Sequence, residues 1–291
     1  MTITILNSAA CIEDAPAKIN LALHVTGQRQ DGYHLIESLA VFSRYGDRVT
    51  VTAAREDSFS VAGPFAAQIP LDAGNLAMRA RDALRRTVSS ERTMPVAILL
   101  EKNLPVASGI GGGSSDAAAT LRALARHWNI KDDLSELALR LGADVPMCLV
   151  GRPLVASGIG EIVEPVAMFP QLHLVLVNPG VEIATPDVFR ALQNRQNPPL
   201  PPLPEDRGVT AVVKWLGKTR NDLEVPARAV APTIGDALTA LGGAGALLAR
   251  MSGSGATCFG LFETQDAARR AAGKIRDMEP GWFVVATSST P

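Results

Sequence analysis

The chain has 291 residues, 47% of them hydrophobic, and a formal net charge of −1, enough apolar material for one large or two ordinary domains and no basic footprint for nucleic acid. Cys11, Cys148 and Cys258 share no paired spacing, which argues against a disulfide framework or a zinc motif and fits a reducing cytoplasm. The acids Glu13 and Asp14 and the lack of a basic leading stretch give no expectation of a signal peptide, and the longest apolar run, 237–249, is broken by glycines and shorter than the about 20 residues of a membrane span.

Residues 1–12 alternate weakly, as an edge strand would. Residues 19–25 alternate clearly, and Lys18 and Asn20 share one face of that strand. Residues 31–34, Asp-Gly-Tyr-His, form a turn that presents an aromatic ring and an imidazole. Strands are predicted over 35–43 and 47–52, and short strand or loop pieces over 58–71. Residues 75–87 have helical period, with Leu76, Ala80, Ala83 and Leu84 on one face. A strand over 96–100 leads into a glycine-rich loop and a helix that ends near His127. A short helix over 134–141 stops at Gly142. Residues 143–146 read as a kinked connector, because the residue before proline avoids the α region, and 147–150 fit strand or helix.

Leu154 to Glu161 holds a second glycine turn. A strand over 172–177 ends at Asn178-Pro-Gly, and a helix over 185–193 is predicted with Thr185 as N-cap and Pro186 at its first position. Five prolines within 194–207 mark a surface loop. Helices are predicted over 209–214, 234–241 and 264–278, a new element near 221–224, and strands over 246–251, 257–262 and 282–287. Mixed helices and strands in both halves give an α+β class with a boundary near residue 160.

The segment 105–118, Pro-Val-Ala-Ser-Gly-Ile-Gly-Gly-Gly-Ser-Ser-Asp-Ala-Ala, is the strongest local signal. Gly109, Gly111, Gly112 and Gly113 are four glycines in five positions, followed by Ser114 and Ser115 as helix-capping hydroxyls. A glycine loop that opens a helix turns unpaired N–H donors outward at the positive end of the helix dipole, which is an anion site and usually a phosphate site. The dinucleotide fingerprint fails because Ser114 stands where its third glycine belongs. The Walker pattern fails because its first glycine would fall on Val212, so Gly217-Lys218-Thr219 reads as a solvated turn. The loop therefore binds phosphate on another scaffold, or binds no nucleotide. Residues 252–255, Ser-Gly-Ser-Gly, form a second glycine turn after a strand, alone a hairpin or bulge, but as the second of two a pointer to a shared polyanion. Lys18 and Asp144 are the candidate charges, each unremarkable by itself, and no spacing says that they meet. Tyr33-His34 alone is a half-buried turn. His24, His127 and His173 lack metal spacing and read as structural.

The loop 105–118 closely resembles the phosphate loop of the GHMP kinases. Ala15-Pro-Ala-Lys-Ile-Asn-Leu, Asp31-Gly-Tyr-His34, Gly142-Ala-Asp-Val-Pro146 and Met251-Ser-Gly-Ser-Gly-Ala-Thr257 narrow the likeness to the branch acting on a cytidyl-linked methylerythritol in the non-mevalonate route to isoprenoid precursors. The resemblance implies an N-terminal domain, 1–160, like domain 2 of ribosomal protein S5, and a ferredoxin-like C-terminal domain, 161–291, with the alcohol in the cleft between them. It implies ATP and Mg2+, with phosphoryl transfer to the substrate 2-hydroxyl. Asp144 would accept the proton of that hydroxyl, and Lys18 would pair with Asp144 and stabilise the transferring group. Asn75, Lys102, Pro105, Ser108, Gly109, Gly111, Gly112, Gly113, Ser114 and Ser115 would lie at the nucleotide, with Ser115 as the magnesium ligand. Tyr33 and Phe189 would clasp the cytosine, His34 would read its edge, and Asn20 and Thr185 would lie near the erythritol. The expected partners are small molecules, with no nucleic acid or membrane, and the expected assembly is a monomer or weak homodimer. The competing readings are another GHMP kinase, acting on homoserine or a mevalonate derivative, and a non-catalytic nucleotide- or RNA-binding module. An aromatic clamp argues against the first, and near-neutral charge with both Lys18 and Asp144 against the second.

Overall fold

A computed structural model describes residues 10–88 and 90–290. The chain forms β1 (Cys11–Gln28), β2 (His34–Ala53), β3 (Ser58–Ala62), α1 (Leu76–Thr87), β4 (Val96–Glu101), α2 (Gly112–His127), α3 (Ser135–Leu141), α4 (Val145–Val150), β5 (Leu154–Ser157) and β6 (Ile162–Pro165). It continues with β7 (His173–Asn178), α5 (Thr185–Ala191), α6 (Val209–Leu216), α7 (Glu224–Val230), α8 (Thr233–Gly243), β8 (Leu248–Met251), β9 (Cys258–Phe262), α9 (Gln265–Met278) and β10 (Phe283–Ser288).

Two compact units are interleaved along the chain, so they do not follow a linear division near residue 160. The smaller holds the described part of 1–15 with Gly46–Val106 and Gly113–Leu149. The larger holds Pro16–Tyr45, Ala107–Gly112 and the chain from Val150 onward. The long strands β1 and β2 each start in one unit and finish in the other, a course that a sequence-order reading does not anticipate.

In the smaller unit, β2 pairs antiparallel with β4 from Arg48↔Glu101 to Ala53↔Val96, and β3 runs parallel to β4. The alternation in β4 buries Val96, Ile98 and Leu100 on one face. Helix α1 carries basic Arg85 and Arg86 in its last turn, where the helix dipole favours them. In the larger unit, β2 pairs with β5 and β5 with β6. A second sheet there runs β10-β7-β9-β8, all antiparallel, with α8 and α9 packed on it. Five consecutive buried residues in β9 mark it as a strand covered on both faces. Val175, Val177, Leu241, Phe262, Ala272 and Ile275 belong to the core that results. Among the described residues no helix is long and apolar enough to cross a membrane.

Several elements depart from the sequence expectation. The edge strand predicted over 1–12 lies mainly outside the described residues. The strands predicted over 35–43 and 47–52 are one strand, because the Asp47 carboxylate accepts the backbone N–H groups of Asn103 (2.5 Å) and Leu104 (2.8 Å) and holds the Gly46-Asp47 step extended. The connector predicted at 143–146 becomes the start of α4, with Pro146 in the first turn, where its missing N–H has no helical partner to lose. Helix α2 begins at Gly112, so Ser114 and Ser115 lie inside its first turn and do not precede it. Helix α5 is capped at Ala184, not Thr185, and ends at Ala191.

Candidate active site

In the larger unit the two glycine loops are locked together. The Thr257 N–H donates to the Ser108 carbonyl (3.1 Å), and the Ser252 hydroxyl donates to the Gly109 carbonyl (3.3 Å). Gly109 has φ +74°, and a Cβ there would stand 2.4 Å from the Gly255 carbonyl oxygen. Gly253 has φ +55°, and its Cβ would stand 2.6 Å from the Gly109 oxygen. Glycine is required at both positions for backbone conformation and for close approach. Asn221 fixes the second loop by donating from Nδ2 to the carbonyls of Met251 and Gly253, 2.8 Å each.

Strand β1 joins the same cluster. The Lys18 N–H donates to the Ile110 carbonyl (2.8 Å), and the Asn20 N–H donates to the Ser252 hydroxyl (3.1 Å). Both residues are buried, and their shared parity puts them on one face of the strand. Asn20 Nδ2 donates to the Ser38 hydroxyl (2.7 Å), while its Oδ1 is buried without a hydrogen-bond partner. Thr185 Oγ1 lies 2.8 Å from Ser254 Oγ. The structure thus brings together Lys18, Asn20, Thr185, Ser108, Gly109 and the 252–255 loop. Sequence reasoning marked that loop as a turn but did not single out Ser252, Ser254 or Asn221. A hydroxyl within a glycine run was the available signal for the two serines, and nothing in the sequence joined Asn221 to them.

His34 and Phe189 form a stacked pair, with ring centroids 4.6 Å apart and planes 26° apart. The sequence reading gave these residues separate roles, face and edge of a base, yet here they cover one another. Tyr33 is 59% exposed beside them, on a turn held by the Arg29 N–H bond to the Tyr33 carbonyl (2.7 Å). His34 Nε2 is buried without a partner. Burial, and after it the charge of Arg195, holds the His34 pKa below the usual imidazole value.

In the smaller unit, Lys102 is buried between two carboxylates. Its ammonium donates to Asp47 and, at 2.7 Å, to Asp116. Burial opposes the charged ammonium, but the two carboxylates outweigh it and raise the Lys102 pKa. Burial pushes Asp116 up to about 8, against the opposing pull of Lys102. Asp116 Oδ1 has no hydrogen-bond partner. The Lys102 charge is therefore committed inside the unit. Asn75, the other flanking position assigned to the nucleotide, caps α1: its Oδ1 accepts from the Ala77 N–H (2.9 Å), and its Nδ2 donates to the Pro70 carbonyl (3.1 Å). Pro105, Gly113, Ser114, Ser115 and Asp144 belong to this unit, whereas Lys18, Gly111 and Gly112 belong to the larger one. Ser115 is buried in the first turn of α2.

The model of the GHMP kinases N-terminal domain matches residues 75–152, and that of the GHMP kinases C-terminal domain matches 211–280. A 4-diphosphocytidyl-2-C-methyl-D-erythritol kinase of Mesorhizobium japonicum is 60% identical over 278 residues, covering 94% of each chain. The protein of that description from Agrobacterium fabrum is 54% identical over 284 residues, covering 95% of each. The crystal structure of a 4-(cytidine 5'-diphospho)-2C-methyl-D-erythritol kinase superposes with TM-score 0.80 at 35% identity, covering 96% of this chain and 99% of that one. A homoserine kinase from Cytophaga hutchinsonii, at 16% identity and TM-score 0.67, shares the fold alone. These likenesses agree with the α+β class, the S5-like and ferredoxin-like parts and the glycine loop, and the chain belongs to the 4-diphosphocytidyl-2-C-methyl-D-erythritol kinase family of the GHMP kinases.

Proposed function

We propose that this chain transfers the γ-phosphoryl group of ATP to the 2-hydroxyl of 4-diphosphocytidyl-2-C-methyl-D-erythritol, giving the 2-phosphate and ADP, in the cytoplasm. The observation that carries this reading is the family membership at 54–60% identity over nearly the whole chain. The paired glycine loops and the His34–Phe189 stack support it: one suits polyphosphate, the other a planar base.

In the proposed mechanism the substrate hydroxyl oxygen attacks the γ-phosphorus, the bond to the β–γ bridging oxygen breaks, and ADP leaves. Asp144 takes the hydroxyl proton. Phosphoryl transfer passes through a loose transition state, so the proton moves late and Asp144 acts chiefly by orienting the nucleophile. Lys18 and the amides of the loop 105–115 stabilise charge on the transferring group. Arrival of the cytosine requires His34 to leave the Phe189 ring or the base to extend their stack. In both cases the buried, unpartnered His34 Nε2 is available to read the base, and exposed Tyr33 is available to cover it. Asn20 and Thr185 lie toward the erythritol.

Mg2+ belongs to the same reading. The described residues hold no group of three or more His, Cys, Asp or Glu side chains placed to bind a metal. In this reading nucleotide phosphates and water would hold most of the ion's coordination, with the Ser115 hydroxyl as the one protein ligand assigned to it. When bound, the ion neutralises phosphate charge.

The test is ATP consumption against the cytidyl-linked methylerythritol, homoserine, mevalonate and phosphomevalonate. ADP release with the first alone is the expected result. Release only with homoserine or a mevalonate derivative overturns the reading.

A further inference from the structure

Asn20 is buried where β1 meets the two glycine loops, and its Oδ1 has no hydrogen-bond partner among the described residues. A buried amide oxygen left unpaired is unfavourable, so a group that occupies it from outside the protein is favoured there. Which amide atom is left over is decided by a neighbouring hydroxyl.

Ser38 lies in β2, fully buried, and its Oγ has two partners at 2.7 Å each: the Ala22 carbonyl and the Asn20 side-chain amide. A carbonyl oxygen only accepts, and a hydroxyl has one proton to donate. The Ser38 proton is therefore committed to Ala22, and Ser38 offers Asn20 only a lone pair. The amide turns its Nδ2 toward that lone pair. Nitrogen and oxygen of a planar amide point apart, so Oδ1 faces away from Ser38. It lies 3.4 Å from where a Cβ on Gly253 would stand, beside the loop whose Ser254 Oγ is 2.8 Å from Thr185 Oγ1. Ser252 repeats the arrangement on the backbone: its Oγ accepts from the Asn20 N–H (3.1 Å) and donates to the Gly109 carbonyl (3.3 Å). Both serine protons are thus directed to carbonyls, and neither reaches Oδ1. All of these residues belong to the larger unit. An ionised phosphate oxygen offers only lone pairs and is repelled by such an acceptor, whereas an alcohol supplies the proton that it needs.

Given the functional reading above, we propose that Ser38 is a positioning residue: by holding the Asn20 amide in one orientation it makes Oδ1 the acceptor for an erythritol hydroxyl. The proton of the 2-hydroxyl goes to Asp144 in that reading, so the hydroxyl held by Asn20 is the one at position 1 or 3. The pair makes the site selective for a donor at that position.

Steady-state kinetics with the cytidyl-linked methylerythritol and its 1-deoxy-1-fluoro and 3-deoxy-3-fluoro analogues test this, because fluorine is close to a hydroxyl in size and has no proton to donate. The unmodified chain should lose at least about tenfold in kcat/KM with one of the two analogues, the scale of a buried acceptor left unpaired. Ser38→Ala should lower kcat/KM for the parent alcohol at least about fivefold with KM for ATP unchanged, and should reduce the discrimination against that analogue to less than about twofold. Ser38→Cys, with a weaker acceptor, should fall between. In an Asn20→Ala background, Ser38→Ala should cause less than about a twofold further loss, because its effect passes through Asn20. Equal kcat/KM for the three compounds in the unmodified chain overturns the proposal and leaves the kinase reading intact. So does full discrimination in Ser38→Ala, or a Ser38→Ala loss that adds undiminished to that of Asn20→Ala. If the unmodified chain phosphorylates none of the three compounds, the kinase reading falls and the proposal with it.

Discussion

Gly109 and Gly255 meet backbone to backbone, so close that a methyl group on Gly109 would stand 2.4 Å from the Gly255 carbonyl oxygen and 2.7 Å from its nitrogen. The loop expected to hold ATP phosphates is thus shaped by a loop nearly 150 residues later in the chain. Gly109→Ala meets a left-handed φ and a collision with rigid backbone at once. Strain of this kind is worth about 1–3 kcal/mol before the collision is counted. The variant should melt several degrees lower and lose most of its kcat, as read by thermal denaturation and by ADP release. A Gly109→Ala protein with unchanged melting temperature and turnover would show that the loops do not depend on one another.

The buried Lys102 separates two effects. Removing the ammonium as Lys102→Met leaves the buried Asp47 and Asp116 without their counter-ion, a change that typically destabilises by about 3–5 kcal/mol. Asp116→Asn should be much milder, since it mimics the protonated acid that burial favours. The two also differ in pH dependence. Asp116 has a folded pKa raised to about 8, well above its unfolded value. Its contribution to stability is therefore full below about pH 4 and is lost as the pH rises through about 8. Urea midpoints measured from pH 5 to 9 should show the parent protein losing stability relative to Asp116→Asn as pH increases. Parallel curves would contradict the assignment.

The local elements were largely legible in the sequence, because hydrophobic period, β-branched runs and turn residues are local signals. The glycine run was plain from composition as a place where backbone can come close to another group, and the common parity of Lys18 and Asn20 put both on one face of β1. What the sequence left hidden depends on long-range contacts. Asp47 straightens a strand by binding Asn103 and Leu104, more than fifty residues away. Thr185 looked like an N-cap, but its hydroxyl faces Ser254 and leaves the cap to Ala184. The ion pairs of Lys102 with Asp47 and Asp116 join residues far apart in the chain, and the interleaved units could not be read from a change of pattern near residue 160.

His34 should act as a neutral ring over an unusually wide pH range. Burial and then Arg195 hold its pKa down, so protonation begins only at lower pH than for an ordinary histidine. If the neutral ring reads the base, KM for the cytidyl-linked alcohol should stay flat through neutrality and rise only on the acid side. In Arg195→Ala that rise should move to higher pH, because one of the two causes is gone. A pH profile of KM for both proteins checks this, and coincident acid limbs would count against it. Tyr33→Ala provides the companion measurement. Base stacking is worth about 1–3 kcal/mol, so KM for the alcohol should increase about 5- to 150-fold with KM for ATP unchanged.

Asp144 and Lys18 carry the proposed chemistry and should separate from binding in a characteristic way. Asp144→Asn keeps shape and hydrogen bonding but cannot take the hydroxyl proton. Loss of a positioned proton acceptor typically lowers kcat about 10²- to 10⁴-fold. Lys18→Met keeps an apolar stem of similar length on the buried face of β1 and removes only the charge. Stabilisation of the transferring group is made mainly in the transition state, so its loss should appear in kcat, with both KM values nearly constant. Unchanged melting temperatures would show that neither substitution acts through the fold. Steady-state kinetics on the two variants decide the matter. Near-parental kcat in Asp144→Asn would remove it from proton transfer, and a Lys18→Met defect confined to KM for ATP would make Lys18 a nucleotide-binding residue instead of a group that stabilises the transfer.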